Sequence, residues 1–495
     1  MKGLVLIRSL ESMKSFLALS TLSSLLLILA CSTNKHSAFN TIIPQNARPN
    51  IIIIYADDQG YGDLSCFGSA YISTPHIDQL AESGTKFTNF HVAQPVCTAS
   101  RVSLLTGCYP NRLGLHGALG PDATVGIHED ETTIAEVCQA AGYKTAIFGK
   151  WHLGFQDTFN PLNHGFDEYF GIPYSNDMWP HHPWQGTVFN FPPLPLYDGF
   201  EIIDTLDDQS HLTTQLTEKA ISFIQRHKSD PFFLYLPHPQ PHVPLFVSAE
   251  RKGKSKGGLY GDVIEEIDWS VGQIVHTLKE ENILDNTVIV YSSDNGPWLS
   301  YGTHSGSAAP LKEGKGTIWE GGTRVPCVMS WPDHIRANRV CDEAFMTIDL
   351  LPTIASILQV PLPKTEIDGH DVTDLIVGNT EINQNDTYAY YYHRNHLQAI
   401  YSEGWKLILP HKYRTLNRAE GTDDGIPIPY DHQILNEAKL YHLDIDKEER
   451  FNVYNQNPEQ VQRLNIIAEN YRQELGDALL DRVGADNRES GRIEE

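Results

Sequence analysis

Positive charge is scarce in this chain. Its 495 residues include 37 Lys and Arg against 62 Asp and Glu, a formal net charge of −25. A mean field of that sign argues against nucleic acid as a partner. It also repels polyanions, so a site for an anionic ligand has to bring its own local cations. Cysteine is sparse too. The seven cysteines show no CxxC spacing, which rules out a zinc ribbon, and they are too few to staple a chain of this size. Setting aside Cys31 and Cys97, the remaining Cys66, Cys108, Cys138, Cys327 and Cys341 allow at most two disulfides. No apolar run is long enough to cross a bilayer comfortably, and no repeat or low-complexity tract is present. What remains is a globular chain long enough for two domains, or for one large domain with an appendage.

Short apolar runs end in polar clusters. Asn50 to Tyr55 runs into Asp57 and Asp58, and Tyr143 to Phe148 runs into Lys150 and His152. Pro231 to Leu236 leads to His242, and Thr287 to Tyr291 leads to Asp294 and Asn295. Near-continuous β-branched and aromatic runs suit strands buried on both faces of a parallel sheet. Helical patterns at 77–83, 132–141, 213–227 and 260–280 alternate with them, which argues an α/β fold. Ligands bind beyond the carboxyl ends of such strands, so the four polar clusters are expected to meet in one site. After about Leu375 the texture becomes that of consecutive antiparallel strands, then a helix from about Pro458 to Leu479 and a frayed acidic tail. The expected divisions are 1–30 signal, 31–47 tether, 48–375 catalytic domain and 376–495 α+β subdomain.

Cys97 opens Cys-Thr-Ala-Ser-Arg101, followed by an apolar, helix-like run closed by Thr106-Gly107. That puts a sulfur at a helix start, where free N–H groups and the dipole favour an anion, with Arg101 one turn on. A bare thiol there is expected to have a depressed pKa; a buried structural Cys is the plain alternative. Asp57 and Asp58 are adjacent carboxylates that repel unless a cation or a proton intervenes. With Asp294 and Asn295 they form an all-oxygen set suited to Ca²⁺ or Mg²⁺ rather than zinc. Lys315 lies in the Gly-rich stretch 314–322, which either approaches a ligand closely or merely flexes. His242 sits between Pro241 and Pro244, which should hold its loop extended; His238 competes for the same role. Trp179, His182 and His304 lie in aromatic, His-containing loops that suit sugar stacking and hydroxyl recognition, or else packing.

Together these segments resemble the type I sulfatases. Asp57-Asp-Gln-Gly-Tyr-Gly-Asp63, the Cys97 signature, Gly149-Lys-Trp-His-Leu-Gly154, Pro241-His-Val-Pro244, Asp294-Asn-Gly296 and Lys315-Gly-Thr-Ile-Trp-Glu-Gly-Gly322 follow that family's order. The resemblance covers roughly Arg48 to Leu375, with an echo at Lys439 to Asp444. Gly171 to Asp177 is similar to the arylsulfatase A and galactosamine-6-sulfatase branch. The resemblance implies an alkaline-phosphatase-like sandwich, with a large mixed, mostly parallel sheet flanked by helices and a smaller C-terminal antiparallel sheet. It implies that Cys97 becomes formylglycine (3-oxoalanine) and that Asp57, Asp58, Asp294, Asn295 and the modified Cys97 hold Ca²⁺, with Mg²⁺ as the alternative. Arg101 and Lys150 would then stabilise the aldehyde hydrate, while Lys150, Lys315 and His242 contact the sulfate. Asp294 would take the proton of the attacking hydroxyl, His242 would protonate the leaving alcohol, and His152 would be the base that expels sulfate. Ala99 stands where the strictest signature has Pro, which implies a radical-type maturase. The expected substrate is a sulfated polysaccharide or its oligosaccharides.

Ile28-Leu29-Ala30-Cys31 ends a short apolar stretch behind Lys14 and resembles a bacterial lipobox, with Leu29 bulkier than usual. It implies a lipid on Cys31, anchoring the exported protein to the membrane in the periplasm or at the outer-membrane surface; a plain cleaved signal is the alternative. The residues to Asn46 look like a tether. Two other functions stand beside the main one. A formylglycine-dependent phosphodiesterase or phosphonate hydrolase shares the metal-binding strand ends, but Lys150 and Lys315 favour sulfate. A non-catalytic surface glycan-binding lipoprotein would need a broken catalytic set, and this one is intact.

Overall fold

The computed structural model describes residues 41, 43–44 and 48–493. The signal segment, Cys31 and most of the expected tether lie outside the described residues. Strand Asn50–Ala56 runs through the middle of the main sheet. Ile51, Ile53 and Tyr55 enter one core, and Ile52 and Ile54 enter the other. A strand covered on both faces has no solvent side to encode, which is why its sequence is an unbroken apolar run.

Phe232–Pro237 and Thr287–Ser293 flank this strand in parallel. Lys144–Lys150 lies beyond Phe232–Pro237, with Glu168–Ile172 outside it, both again parallel. These strands form the parallel centre of an 11-stranded sheet. Antiparallel pairings extend it on both sides: Arg324–Ser330 and then Thr85–His91 on one, Pro195–Asp198 and then Glu201–Thr205 on the other. Helices Pro75–Ser83, Leu212–His227 and Gly258–Glu280 cover the Ile52 face. Helices Cys97–Thr106, Ile134–Ala140 and Leu350–Leu358 cover the Ile51 face. Because the central strands share one direction, the residues following them arrive at one sheet edge.

The later part of the chain builds a four-stranded antiparallel sheet in the order Tyr388–Tyr392, His396–Ser402, Trp405–Ile408, Lys439–His442. Helix Pro458–Glu474 buries Val461, Leu464 and Ala468 with it. This helix is shorter than the sequence suggests, since Gly476 takes a φ of +84°, a left-handed conformation that ends helices. The tail is not frayed. Gly491–Arg492 pairs with Val125–Gly126, and the Arg488 guanidinium donates to both oxygens of Glu131 at 2.7 and 2.8 Å. Among the described residues the six cysteines are free, and no helix is long and apolar enough to cross a membrane.

A buried ion cluster joins the smaller sheet to the larger one. Lys406 Nζ lies 2.7 Å from Glu320 Oε1, 3.2 Å from Glu449 Oε1 and 2.7 Å from the Ile318 carbonyl. All three side chains are sealed from solvent. Removing one partner of such a cluster leaves the others uncompensated. Lys406→Met is therefore expected to lower unfolding free energy by about 3 kcal/mol in urea titration. An unchanged midpoint would show that the two carboxylates do not depend on this ammonium.

Candidate active site

Four strand ends supply the side chains. Asp57 and Asp58 follow Asn50–Ala56, Lys150 ends Lys144–Lys150, and Asp294 and Asn295 follow Thr287–Ser293. His242 follows Phe232–Pro237 at a distance of a few residues. Asp58 itself adopts a φ of +65°, which turns its carboxyl back beside its neighbour. Helix Cys97–Thr106 starts over this edge, and Cys97, Arg101 and every residue between are buried.

Distances show one contiguous cluster. Arg101 grips Asp294 Oδ2 through Nε at 3.0 Å and Nη2 at 2.8 Å, and its Nη2 lies 3.4 Å from Asp57 Oδ2. Lys150 Nζ donates to Asp57 Oδ2 at 2.5 Å and to Ser175 Oγ at 3.2 Å. Lys315 Nζ donates to Asp58 Oδ1 at 2.6 Å and lies 3.3 Å from Cys97 Sγ. Cys97 Sγ is 3.5 Å from Asp57 Oδ1. His242 Nε2 is 3.5 Å from Asp58 Oδ2, and its Nδ1 is 2.6 Å from the Val243 carbonyl, which makes Nδ1 the donor and leaves Nε2 facing the cluster. His238 points elsewhere, its Nε2 being 3.3 Å from Ser270 Oγ on helix Gly258–Glu280. Lys315 at 6 %, Asp58 at 3 % and Cys97, His242 and Ser175 at 2 % keep some exposure, so a ligand enters from their side.

Burial and the charges interact strongly here. Burial alone would raise the Asp57 pKa, but Lys150 and Arg101 hold it well below the usual carboxylate range. Burial and the nearby Asp57 push Asp294 up to about 7 despite its pairing with Arg101. Burial and Asp57 also push the Cys97 thiol up, against the pull of Lys150 and Lys315. The expectation of a depressed thiol pKa is thus corrected: the helix start is sealed from water and shared with carboxylates. Burial, with Lys150 and Arg101, lowers His152 well below the ordinary imidazole value. Its Nε2 lies 2.9 Å from the Leu119 carbonyl, while its buried Nδ1 has no partner.

The cluster also has the donor set of a hard cation. Asp58 Oδ2 and Asn295 Oδ1 are buried without a hydrogen-bond donor, and Asn295 Nδ2 already donates to Asp58 Oδ1 at 2.7 Å. Asp57, Asp58, Cys97 and His242 each offer a ligand atom within 4.8 Å of the others. Carboxylate and amide oxygens left bare in a dry site fit Ca²⁺ or Mg²⁺.

Ser175 and Asn176 join the site without having been singled out individually in the sequence. Ser175 bridges Lys150 and His242, and the Asn176 amide donates to the His242 and Pro244 carbonyls at 3.3 Å. Both lie in the Gly171–Asp177 motif, so a signal existed. Trp298 stands against the His242 ring at 5.4 Å and under Lys315 Nζ at 4.7 Å. The loops expected to read sugars fare unevenly. Trp179 is buried against Phe246 and His181, which leaves its rings to packing rather than to a sugar. His182 is enclosed by Trp184, Phe189 and Phe191, and His304 is half-buried beside Gly425.

The model of the sulfatase family matches residues 49–360. The chain belongs to the sulfatase family. A second model, described as the C-terminal part of N-sulphoglucosamine sulphohydrolase, matches residues 314–423. Arylsulfatase A of Bos taurus is 36% identical over 373 residues, covering 72% of this chain and 73% of that protein. N-acetylgalactosamine-6-sulfatase of Sus scrofa is 36% identical over 375 residues, covering 71% and 70%. Among solved structures, a Bacteroides thetaiotaomicron sulfatase from work on glycosaminoglycan metabolism aligns with a TM-score of 0.73 at 30% identity, covering 86% of this chain and 99% of that one. Ps i-CgsB in complex with k-i-k-neocarrahexaose aligns with a TM-score of 0.70 at 29% identity, covering 89% and 94%. The protein is a sulfuric ester hydrolase. A phosphonate monoester hydrolase of Agrobacterium radiobacter shares the fold alone, at 18% identity and a TM-score of 0.55.

Proposed function

We propose that this sulfatase removes sulfate from sugar units of a sulfated polysaccharide or its oligosaccharides, with a formylglycine made from Cys97 and a Ca²⁺ held beside it. The observation that carries this reading is the convergence of Arg101, Lys150 and Lys315 on Asp57, Asp58 and Asp294 around one sulfur. Three carboxylates against three cations leave the cluster near neutrality. A divalent cation would make it positive, as an anionic ester in a chain of net charge −25 requires.

Asp57, Asp58, Asp294, Asn295 and the oxygen side chain at position 97 would hold the ion, which supplies Lewis-acid polarisation when bound. The aldehyde hydrate would supply the attacking oxygen and, through its second hydroxyl, the means of releasing sulfate. Arg101 fixes Asp294 through two N–H groups, which aims one carboxylate at the proton of the attacking hydroxyl. Lys150 and Lys315 supply fixed positive charge for the sulfate oxygens in a site that needs no reorganisation. His242 offers Nε2 to the leaving alcohol, its ring held by the Val243 carbonyl and the Trp298 face. His152, kept neutral with a bare Nδ1, is suited to act as the base in sulfate release.

The sugar assignment draws support from the carrageenan and glycosaminoglycan subjects of the aligned structures. We further propose export by the N-terminal signal, a lipid on Cys31 and a radical-type maturase suited to Ala99. The test is sulfate release from a panel of sulfated oligosaccharides by fully modified protein. Binding without release would favour a glycan-binding lipoprotein. Chelation is expected to remove activity and lower thermal stability, and Ca²⁺ or Mg²⁺ to restore both. Active protein carrying stoichiometric zinc alone would contradict the oxygen-ligand reading.

A further inference from the structure

His152 is held in a conformation that its residue type avoids. Its φ is +65°, in the left-handed region where a residue with a Cβ is strained. Such a backbone persists where its surroundings over-determine it, and here they do. The His152 N–H donates to the Pro173 carbonyl at 3.0 Å, and the His152 carbonyl accepts from the Thr98 hydroxyl at 2.8 Å. The ring is fixed at a third point, with Nε2 2.9 Å from the Leu119 carbonyl. A carbonyl only accepts, so the proton sits on Nε2 and the lone pair on the bare Nδ1. The charges of Lys150, Arg101 and Asp57 act on this ring, which places it against the cluster.

Two of the three restraints run through Thr98. Its Oγ1 donates to the His152 carbonyl and accepts the Leu119 N–H at 3.0 Å, which uses both capacities of the hydroxyl. The Leu119 segment is also seated by the Gly117 carbonyl, which accepts from the Ala99 N–H at 3.2 Å. One hydroxyl thus holds the backbone of His152 and the residue whose carbonyl holds its ring. Thr98 and His152 are sealed from solvent, so water does not compete for these bonds. Thr98 directly follows Cys97 on the first turn of helix Cys97–Thr106, so the same bonds fix His152 relative to position 97.

We propose that Thr98 is a positioning residue for sulfate release, aiming Nδ1 of His152 at the side chain of position 97. In that step Nδ1 takes the proton of the free hydroxyl on the sulfated side chain, and the carbon–oxygen double bond of the aldehyde re-forms. The bond from that carbon to the sulfate oxygen breaks, and its electron pair leaves with sulfate. Thr98 touches no reacting atom. This rests on the reading of His152 as the base given above. A base displaced by about 1 Å loses roughly two orders of magnitude.

The test follows 4-nitrophenyl sulfate, whose nitrophenolate departs before sulfate does. Rates are divided by aldehyde content, read by mass from tryptic peptide 87–101, because position 98 adjoins the modified residue. Thr98→Val, with Thr98→Ala as the smaller second variant, should lower kcat and KM together by roughly ten- to a hundredfold and leave kcat/KM within about twofold. Both should release a burst of one nitrophenolate per aldehyde. Thr98→Ser should return kcat to that of the unaltered protein. In unmodified protein, deuterium exchange over 117–120 and 151–154 should quicken in Thr98→Val and not in Thr98→Ser. His152→Ala should show the burst and the same loss of kcat at constant kcat/KM. If it does, and the Val and Ala variants instead keep normal kinetics, lose kcat and kcat/KM together, or leave the exchange unchanged, the role of Thr98 is overturned and the base reading stands. Serine behaving like valine overturns the role as well. His152→Ala without a burst overturns the base reading, and the role of Thr98 with it.

Discussion

Cys97→Ala and Cys97→Ser are each expected to abolish sulfate release while leaving a folded protein. The sulfur touches Asp57 and Lys315, so its loss opens one small void, with a stability cost on the order of 1 kcal/mol. The kinetic effect is far larger because the nucleophile itself is gone, and activity should fall by roughly five or more orders of magnitude. Serine is the more telling variant. It keeps an oxygen at position 97 but has no second hydroxyl with which to expel sulfate, so it should end as a stable sulfated enzyme after one event. Mass spectrometry of tryptic peptide 87–101 from active wild-type protein should show a species lighter than the cysteine form by H₂S less one oxygen. Full activity with only unmodified Cys97 in that peptide would remove the formylglycine mechanism.

The second large effect concerns the acid. His242→Ala should reduce turnover of alkyl sugar sulfates by about two to four orders of magnitude, the usual worth of a positioned general acid. With an activated aryl sulfate the loss should be slight, because that leaving group departs without a proton. His238→Ala should leave the ratio between the two substrate types unchanged, since its ring faces Ser270 behind the site. The reverse pattern in the two variants would mean that His238, and not His242, is the acid supplied by the loop after Phe232–Pro237.

Sequence alone carried the parallel sheet well, for a physical reason. Strands buried on both faces, such as Ile51 to Tyr55, have no polar alternation, and their ends are marked by the first residues that leave the core. Parallel direction then makes convergence of Asp57, Lys150, His242 and Asp294 a consequence of topology. Exposure was harder to read. An aromatic-rich loop has the same composition whether it faces in or out, so composition does not separate Trp179 packed on Phe246 from a sugar platform. Arg414 and Lys406 gave no local signal, because their partners Lys315 and Glu320 lie 99 and 86 residues away. The polar tail looked free for the same reason, its pairing strand Val125–Gly126 being far away in the sequence.

The burial of Cys97 has a consequence in time. A side chain at 2 % exposure under a closed sheet edge cannot be reached by another enzyme in the finished protein. The conversion proposed for it would therefore take place on a chain that has not yet closed. Lys315, whose ammonium rests on the sulfur, is made 218 residues later. At about 5–20 residues per second of synthesis, that leaves roughly 10 to 50 s in which position 97 exists without its lid. A host that folds this chain faster than it modifies it would accumulate well-folded, soluble and permanently silent protein, and no later treatment of the native state would rescue it.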